Sequence, residues 1–270
     1  KNNRFDVLIH MAAFKAAGES MIIPLEYSEN NILGSINLIS TAVKNKVKKI
    51  IFSSTAAVYG EPQYNPINEE HPIKPINHYG YTKIFVENYL SWLSKNSDMK
   101  FLALRYFNAA GYTNKDNLIK YKEKNPQNLL PIVMEVAKGE RECLEIYGSD
   151  YDTQDGTCIR DYINVVDLAD AHFKSINYLS HSKSGSINLS TGFGYSVLDV
   201  VKECEKVIGK KISYKFVDRR PGDPAILISS NDQAVSKLQW SPCNSSINQI
   251  ISSMWKIYNW NHIFSYYPFL

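Results

Sequence analysis

Residues 50–60 read IIFSSTAAVYG, an apolar, β-rich run that ends in the small hydroxyl residues Ser53, Ser54 and Thr55. Residues 49–52 read as a buried strand. In an open parallel sheet, ligands bind beyond the carboxyl ends of the strands, which places Thr55 to hydrogen-bond a substrate oxygen. Simple turn chemistry is the bland alternative for such a cluster. Working outward, residues 5–9 form another short apolar run, and residues 24–44 follow a helical pattern. Downstream, residues 79–95 read as a helix and 101–104 as a third strand. Strands separated by helices imply βαβ units and a parallel sheet. The 3.6-residue pattern recurs at 165–179, 197–208 and 247–258, with shorter strands expected at 144–147, 187–189 and 212–216. The polar stretch 114–128 reads as a loop, and a domain boundary falls near 108–113. The aromatic tail at 266–269 shows no period. The expected fold is α/β: a doubly wound, Rossmann-like parallel sheet over residues 1–108, and a smaller α/β substrate domain over 109–270.

The chain has 270 residues, 44% hydrophobic and 21% charged, which is ordinary globular composition. A net charge of +3, with scattered basic residues, argues against nucleic acid as the partner and leaves room for a small anionic ligand. Cys143, Cys158, Cys204 and Cys243 are far apart in sequence and lack metal-ligand spacing, so they read as reduced thiols of a cytoplasmic protein. No apolar run is long enough to span a bilayer, and no membrane partner is expected. The opening KNNRFDVLIHMAAF has basic residues before an apolar run, but Asp6 and His10 interrupt it. It reads as a strand rather than a signal peptide. A first residue of Lys1 suggests a processed or trimmed piece.

The chemistry centres on NHYGYTK at 77–83. Tyr79 and Lys83 are four apart and share a helix face. A nearby ammonium favours the phenolate and lowers a tyrosine pKa, and a tyrosine so tuned can act as general base toward a sugar hydroxyl. Thr55 can relay that proton. Downstream, FLALRYFNAAG at 101–111 ends a third strand in Arg105, Tyr106, Phe107 and Asn108. Three strand ends thus carry polar or aromatic groups, as a doubly wound site requires. His10 has no nearby Cys or His, so no metal is expected. His78 reads as a loop histidine, and Asp167 with Asp170 as a solvated helix face.

HMAAFKAAGES, SSTAAVYG, YGYTK, LRYFNAAG, NLLP, DGTCIRDYINVVDLA and RRPGD occur in that order. On these motifs the chain resembles the UDP-galactose 4-epimerases of the extended short-chain dehydrogenase family, over residues 5–260. The resemblance implies NAD as cofactor, a UDP-hexose as substrate and reversible C4 epimerisation. It makes Tyr79 the catalytic base, with Thr55 beside the sugar and Lys83 on the nicotinamide ribose. It makes Lys15, Asn30 and Phe107 further cofactor contacts. Asn108, Asn128, Leu129, Tyr147, Arg160, Arg220 and Asp223 fall on UDP-sugar contacts. Arg160 and Arg220 can grip a pyrophosphate with bidentate, charge-assisted bonds. The plain alternative is a surface pair for each, Arg160 with Asp161 and Arg220 with Asp218. Leu227 falls where the family varies residue size at the far end of the sugar pocket. The family also implies a homodimer built on the helices at 24–44 and 79–95.

The family's G-x-x-G-x-x-G fingerprint, whose helix N-terminus holds the cofactor pyrophosphate, is absent from the chain. The expectation is therefore a sheet lacking its first strands, in an N-terminally truncated polypeptide. One alternative is a catalytically silent fragment or dimer partner. Another is a related sugar-nucleotide dehydratase or decarboxylase. Dehydratases of the group carry an Asp-Glu pair after the hydroxyl residue, and here Ala56 and Ala57 stand there.

Overall fold

The strands that read as continuous apolar runs do so because helices cover both faces of their sheet. The computed structural model describes residues 4–113, 122–123, 125–220 and 222–259. Its main sheet has β1 (Val7–His10), β2 (Lys49–Thr55), β3 (Lys100–Tyr106) and β8 (Gly185–Leu189), all parallel, in the order β1-β2-β3-β8. On one face Ile50, Phe52, Phe101 and Ala103 pack against Ile39 of α3 (Gly34–Lys44) and Val86 and Leu90 of α4 (His78–Lys95). On the other, Ile51, Leu102, Leu104 and Ile187 pack against Leu168 and Leu179 of α6 (Val165–His181), and against Leu238 of α8 (Asp232–Leu238). Helices on both faces of a parallel sheet make the expected doubly wound architecture.

The helix read over 24–44 is three pieces in one rod. They are α2 (Pro24–Tyr27), a π-helical turn (Ser28–Leu33) and α3, with Pro24 at the start of the first. Before them lies the short α1 (Ala17–Ser20). A proline at a first helical position loses no hydrogen bond. A π turn inside a helix frequently marks a functional site.

The second core lies between α5 (Leu129–Lys138), β5 (Leu144–Tyr147), α7 (Val197–Ile208) and α9 (Ile247–Tyr258), through Val133, Met134, Ile146, Val200, Cys204, Ile250 and Met254. β5 pairs in parallel with β10 (Tyr214–Val217). Two further small ladders complete the strand pairing among the described residues. β4 (Asn108–Ala110) pairs with β7 (Tyr162–Asn164). β6 (Ile159–Arg160) lies between β11 (Ile226–Leu227) and β9 (Tyr195–Ser196). The chain crosses between layers more than once, since β8 and α6 return to the main sheet after β5. Part of the loop read at 114–128 and all of the tail at 266–269 lie outside the described residues.

Asp167 departs from its expected solvated face. It is buried and accepts from the backbone N–H and the side-chain amide of Asn244, both at 2.8 Å, and from the Ser245 hydroxyl. A carboxylate with several donors is stable inside the protein. Asp170 does face solvent, 3.4 Å from Lys174.

Candidate active site

The N-terminus of α4 docks on the end of β2, and Gly80 is what allows it. A Cβ built there would lie 2.4 Å from the Ala57 carbonyl oxygen. Asn77 caps the helix by accepting from the Gly80 N–H at 2.8 Å, a strongly favoured capping residue. The Tyr79 N–H is satisfied by the Ser20 hydroxyl at 3.0 Å. Thr55 sits at the end of β2, its Oγ1 accepting from the Ala57 N–H at 3.2 Å and acting on the Tyr79 phenol so as to favour its ionised form. Lys83, one turn on, is buried with its ammonium 5.8 Å from the Tyr79 ring centroid and 4.9 Å from that of Phe52.

Tyr79, Thr55 and Lys83 are therefore assembled as expected, but the tuning of the phenol is not. Desolvation pushes the Tyr79 phenol up to about 12, a rise the Thr55 hydrogen bond only tempers. Desolvation also pulls Lys83 down to about 8, against the field of Glu87. Spacing along a helix carries the attraction between ammonium and phenolate but not the loss of water around both. In the protein alone the phenol is protonated at neutral pH.

Lys83 donates to the Ser53 carbonyl at 2.8 Å, its one hydrogen bond among the described residues. An ammonium has three N–H groups. The two that remain suit a vicinal diol, such as the ribose beside a nicotinamide. Phe107 is buried nearby with Ala56, Val58 and Tyr59. Lys15, in the loop after β1, is exposed and pairs with Glu123 at 2.7 Å. Asn30 donates to Asn31 Oδ1 at 2.9 Å. Of these residues, Lys83 is the buried one with N–H groups left over; Lys15 and Asn30 are engaged with Glu123 and Asn31.

Asn31 has no part in the sequence reading, yet it ties this region together. Buried in the π turn, it accepts from the Phe14 N–H at 2.8 Å and donates to the Phe14 carbonyl at 3.0 Å and to Thr82 Oγ1 at 3.1 Å. Thr82 in turn donates to the Tyr79 carbonyl at 2.8 Å. His10 is buried, with Nε2 2.7 Å from the Ser35 hydroxyl. Burial, helped by Lys83, pulls it down to about 4, so it is neutral. His78 is no loop residue. It opens α4 and reaches the Ser28 hydroxyl at 2.8 Å.

A second group of side chains gathers around β6 and β11. Arg160 does not pair with the adjacent Asp161. It forms an ion pair with Asp223 and donates to the Pro224 carbonyl at 2.7 Å. Asp161 faces the opposite way, because neighbours along a strand point to opposite faces. It accepts from Thr191 N–H at 2.9 Å, Thr191 Oγ1 at 2.7 Å and Gly192 N–H at 2.9 Å. Burial pushes it up to about 6. Arg220 stacks on the Tyr147 ring at 3.7 Å rather than pairing with Asp218. Asn108 binds the Asp161 carbonyl through its backbone N–H at 3.0 Å and its amide at 3.2 Å. Asn128 stands at the N-cap of α5 without a side-chain capping bond, and Leu129 follows it into the second core. Leu227 joins the two groups. It pairs with Arg160 in the β11–β6 register and packs on the cluster that contains Phe107. Among the described residues no group of three or more His, Cys, Asp or Glu could hold a metal ion.

The family described as GDP-mannose 4,6 dehydratase matches residues 1–254. The chain is 43% identical over 257 residues to a UDP-glucose 4-epimerase of Halalkalibacterium halodurans, covering 95% of this chain and 76% of that one. It is similar to the crystal structure of UDP-glucose 4-epimerase from Bifidobacterium longum in complex with NAD+ and UDP. The TM-score there is 0.90 at 40% identity, over 95% of this chain and 77% of that one. The UDP-Glc/GlcNAc 4-epimerase of Campylobacter jejuni superposes with a TM-score of 0.81 at 39% identity, over 95% of this chain and 78% of that one.

Proposed function

We propose that this chain, which belongs to the UDP-glucose 4-epimerase family, interconverts UDP-glucose and UDP-galactose through Tyr79, Thr55 and Lys83. The observation that supports the assignment is the docking of Tyr79's helix on the carboxyl end of β2, where Thr55 lies, with the Lys83 ammonium 5.8 Å from the Tyr79 ring centroid. Bound NAD would supply a hydride acceptor and donor for C4 and a positive charge beside the phenol. Lys83 holds the nicotinamide ribose, with Lys15, Asn30 and Phe107 around it. Tyr79, through the Thr55 hydroxyl, takes the proton of the C4 hydroxyl and gives it back when the 4-keto sugar is reduced. The phenol at about 12 needs positive charge beside it to work as a base, which ties proton transfer to a loaded site. Arg160 and Arg220 bind the diphosphate, with Asn108, Asn128, Leu129, Tyr147 and Asp223 holding the rest of the UDP-sugar. In this division, residues 1–108 carry the base and cofactor contacts, and 109–270 mainly the UDP-sugar contacts.

The test is UDP-galactose deuterated at C4, given to the natural full-length protein. The expected product is UDP-glucose of unchanged mass that retains the label, because the hydride leaves and returns without meeting solvent. Loss of water from the product would count for a dehydratase, and washout of the label would count against hydride transfer at C4 altogether.

Leu227 packs against the cluster that contains Phe107, and its side chain lacks the ring and hydroxyl of a tyrosine. The protein is therefore expected to turn over UDP-N-acetylglucosamine as well as UDP-glucose. Leu227→Tyr should lower the ratio of their kcat/KM values by about tenfold or more. An unchanged ratio would remove Leu227 as the gate.

The proposal of a homodimer is supported by exposed apolar side chains on the same two helical segments: Leu25, Leu33 and Leu38 on one, Tyr81, Phe85 and Trp92 on the other. A patch of this kind marks an interaction surface. Sedimentation of a monomer at micromolar concentration would refute it. Among the described residues no helix is long and apolar enough to cross a membrane.

A further inference from the structure

Tyr151 lies in the loop between β5 and β6 and is only 5% exposed. Its hydroxyl has no hydrogen-bond partner among the described residues. A buried hydroxyl without a partner is costly, and native proteins rarely leave one. The side chain is not adrift. Its backbone N–H donates to the Gly156 carbonyl at 2.9 Å, and the Arg219 guanidinium covers its ring at 4.1 Å. Gly148, at a φ of +84°, leaves room for that ring, since a Cβ there would come within 2.6 Å of it. Arg219 is itself fixed by Asp150 at 2.7 Å. The loop thus holds the ring against Arg219, whose segment turns through Arg220, on the Tyr147 ring, to Asp223, the ion-pair partner of Arg160.

We propose that the Tyr151 hydroxyl is a binding group for the substrate diphosphate, donating a hydrogen bond to a phosphate oxygen held by Arg160. This rests on the epimerase reading, which makes Arg160 and Arg220 the diphosphate contacts. A neutral donor among guanidinium groups suits a phosphate oxygen. Oriented O–H donation adds direction to the charge that the arginines supply. The nearby carboxylate, Asp223, is engaged by Arg160, so the phenol is left for the ligand. A rigid donor with no partner to give up costs little to reorganise on binding.

The test compares the NAD-loaded wild-type protein with Tyr151→Phe by calorimetric titration of UDP and of uridine, and by thermal melting with and without UDP. A hydrogen bond to a charged group implies that UDP binds the variant about ten- to a hundredfold more weakly. Uridine affinity should be unchanged. The melting temperature without UDP should be unchanged or higher, because the variant removes a buried hydroxyl that bonds nothing. The UDP-induced rise in melting temperature should shrink. UDP affinity within twofold of wild type would overturn the proposal, as would equal losses for UDP and uridine. A fall of several degrees without UDP would make the role structural and overturn it too. A wild-type protein that fails to bind UDP would overturn the epimerase reading itself, and the proposal with it.

Discussion

Tyr79→Phe is expected to lower kcat by about two to four powers of ten while UDP affinity stays within a few-fold of wild type. The phenol oxygen is the one atom lost. The rest of the residue is held by bonds that phenylalanine keeps: its N–H to Ser20 and its carbonyl to Thr82. The helix N-terminus and the ring should therefore stay in place. Arg160 and Arg220 come from different segments of the chain and make their own contacts, so diphosphate binding does not depend on the phenol. Steady-state kinetics with UDP-galactose and a UDP titration on the same preparation check both halves. Near-normal turnover would remove Tyr79 from the mechanism. Lost turnover with equally lost UDP affinity would point to a collapsed site rather than a missing base.

The second large effect is on stability. Glu87 and Arg105 form a buried ion pair, each side chain only 6% exposed, with Nη2 2.6 Å and Nε 3.1 Å from the carboxylate oxygens. Ser54 donates to the same carboxylate, and Arg105 Nη1 donates to the Tyr59 hydroxyl at 2.9 Å. Tyr59 passes the chain on to Asn188 at 2.6 Å. The network binds α4, β2, β3 and β8 to one another directly beneath the candidate site. Glu87→Ala leaves the Arg105 charge buried without its counter-ion, and breaking a buried pair costs about 3–5 kcal/mol. For a chain of this size that lowers the melting temperature on the order of ten degrees. Replacing both members, as in Glu87→Leu with Arg105→Met, should recover much of the loss, because no lone charge remains. Thermal denaturation of the single and double variants measures this. A single variant within about 1 kcal/mol of wild type would show that water or relaxation satisfies Arg105.

Several elements were legible residue by residue. The helices Val197–Ile208 and Ile247–Tyr258 begin and end where their periodicity does. Each also carries a capping box, Ser196 with Asp199 and Ser246 with Gln249. The strand Leu144–Tyr147 matches its expected bounds. The helix Leu129–Lys138 went unread although its start lies in NLLP, because its apolar residues run nearly all round it and blur the 3.6 period. The short strands at 108–110, 159–160 and 226–227 were beyond pattern reading, since two or three residues carry no period.

The sequence by itself determined the parallel α/β architecture, the shared helix face of Tyr79 and Lys83, and the placing of Thr55 at a strand end. All of these follow from periodicities of 2 and 3.6 residues and from rules about where parallel strands present their ends. Only the tertiary structure decided which partner each charged group takes. Arg160 reaches across 63 positions to Asp223 instead of to the next residue. Asp167 turns inward to a loop 77 positions away. Asn31 clamps Tyr79's helix from 51 positions upstream. Tertiary structure likewise set the resting state of the Tyr79 phenol, because desolvation depends on everything packed around a group and not on its neighbours along the chain. Local pattern repeats along the backbone and can be read there; charge pairing and burial are properties of distance in space.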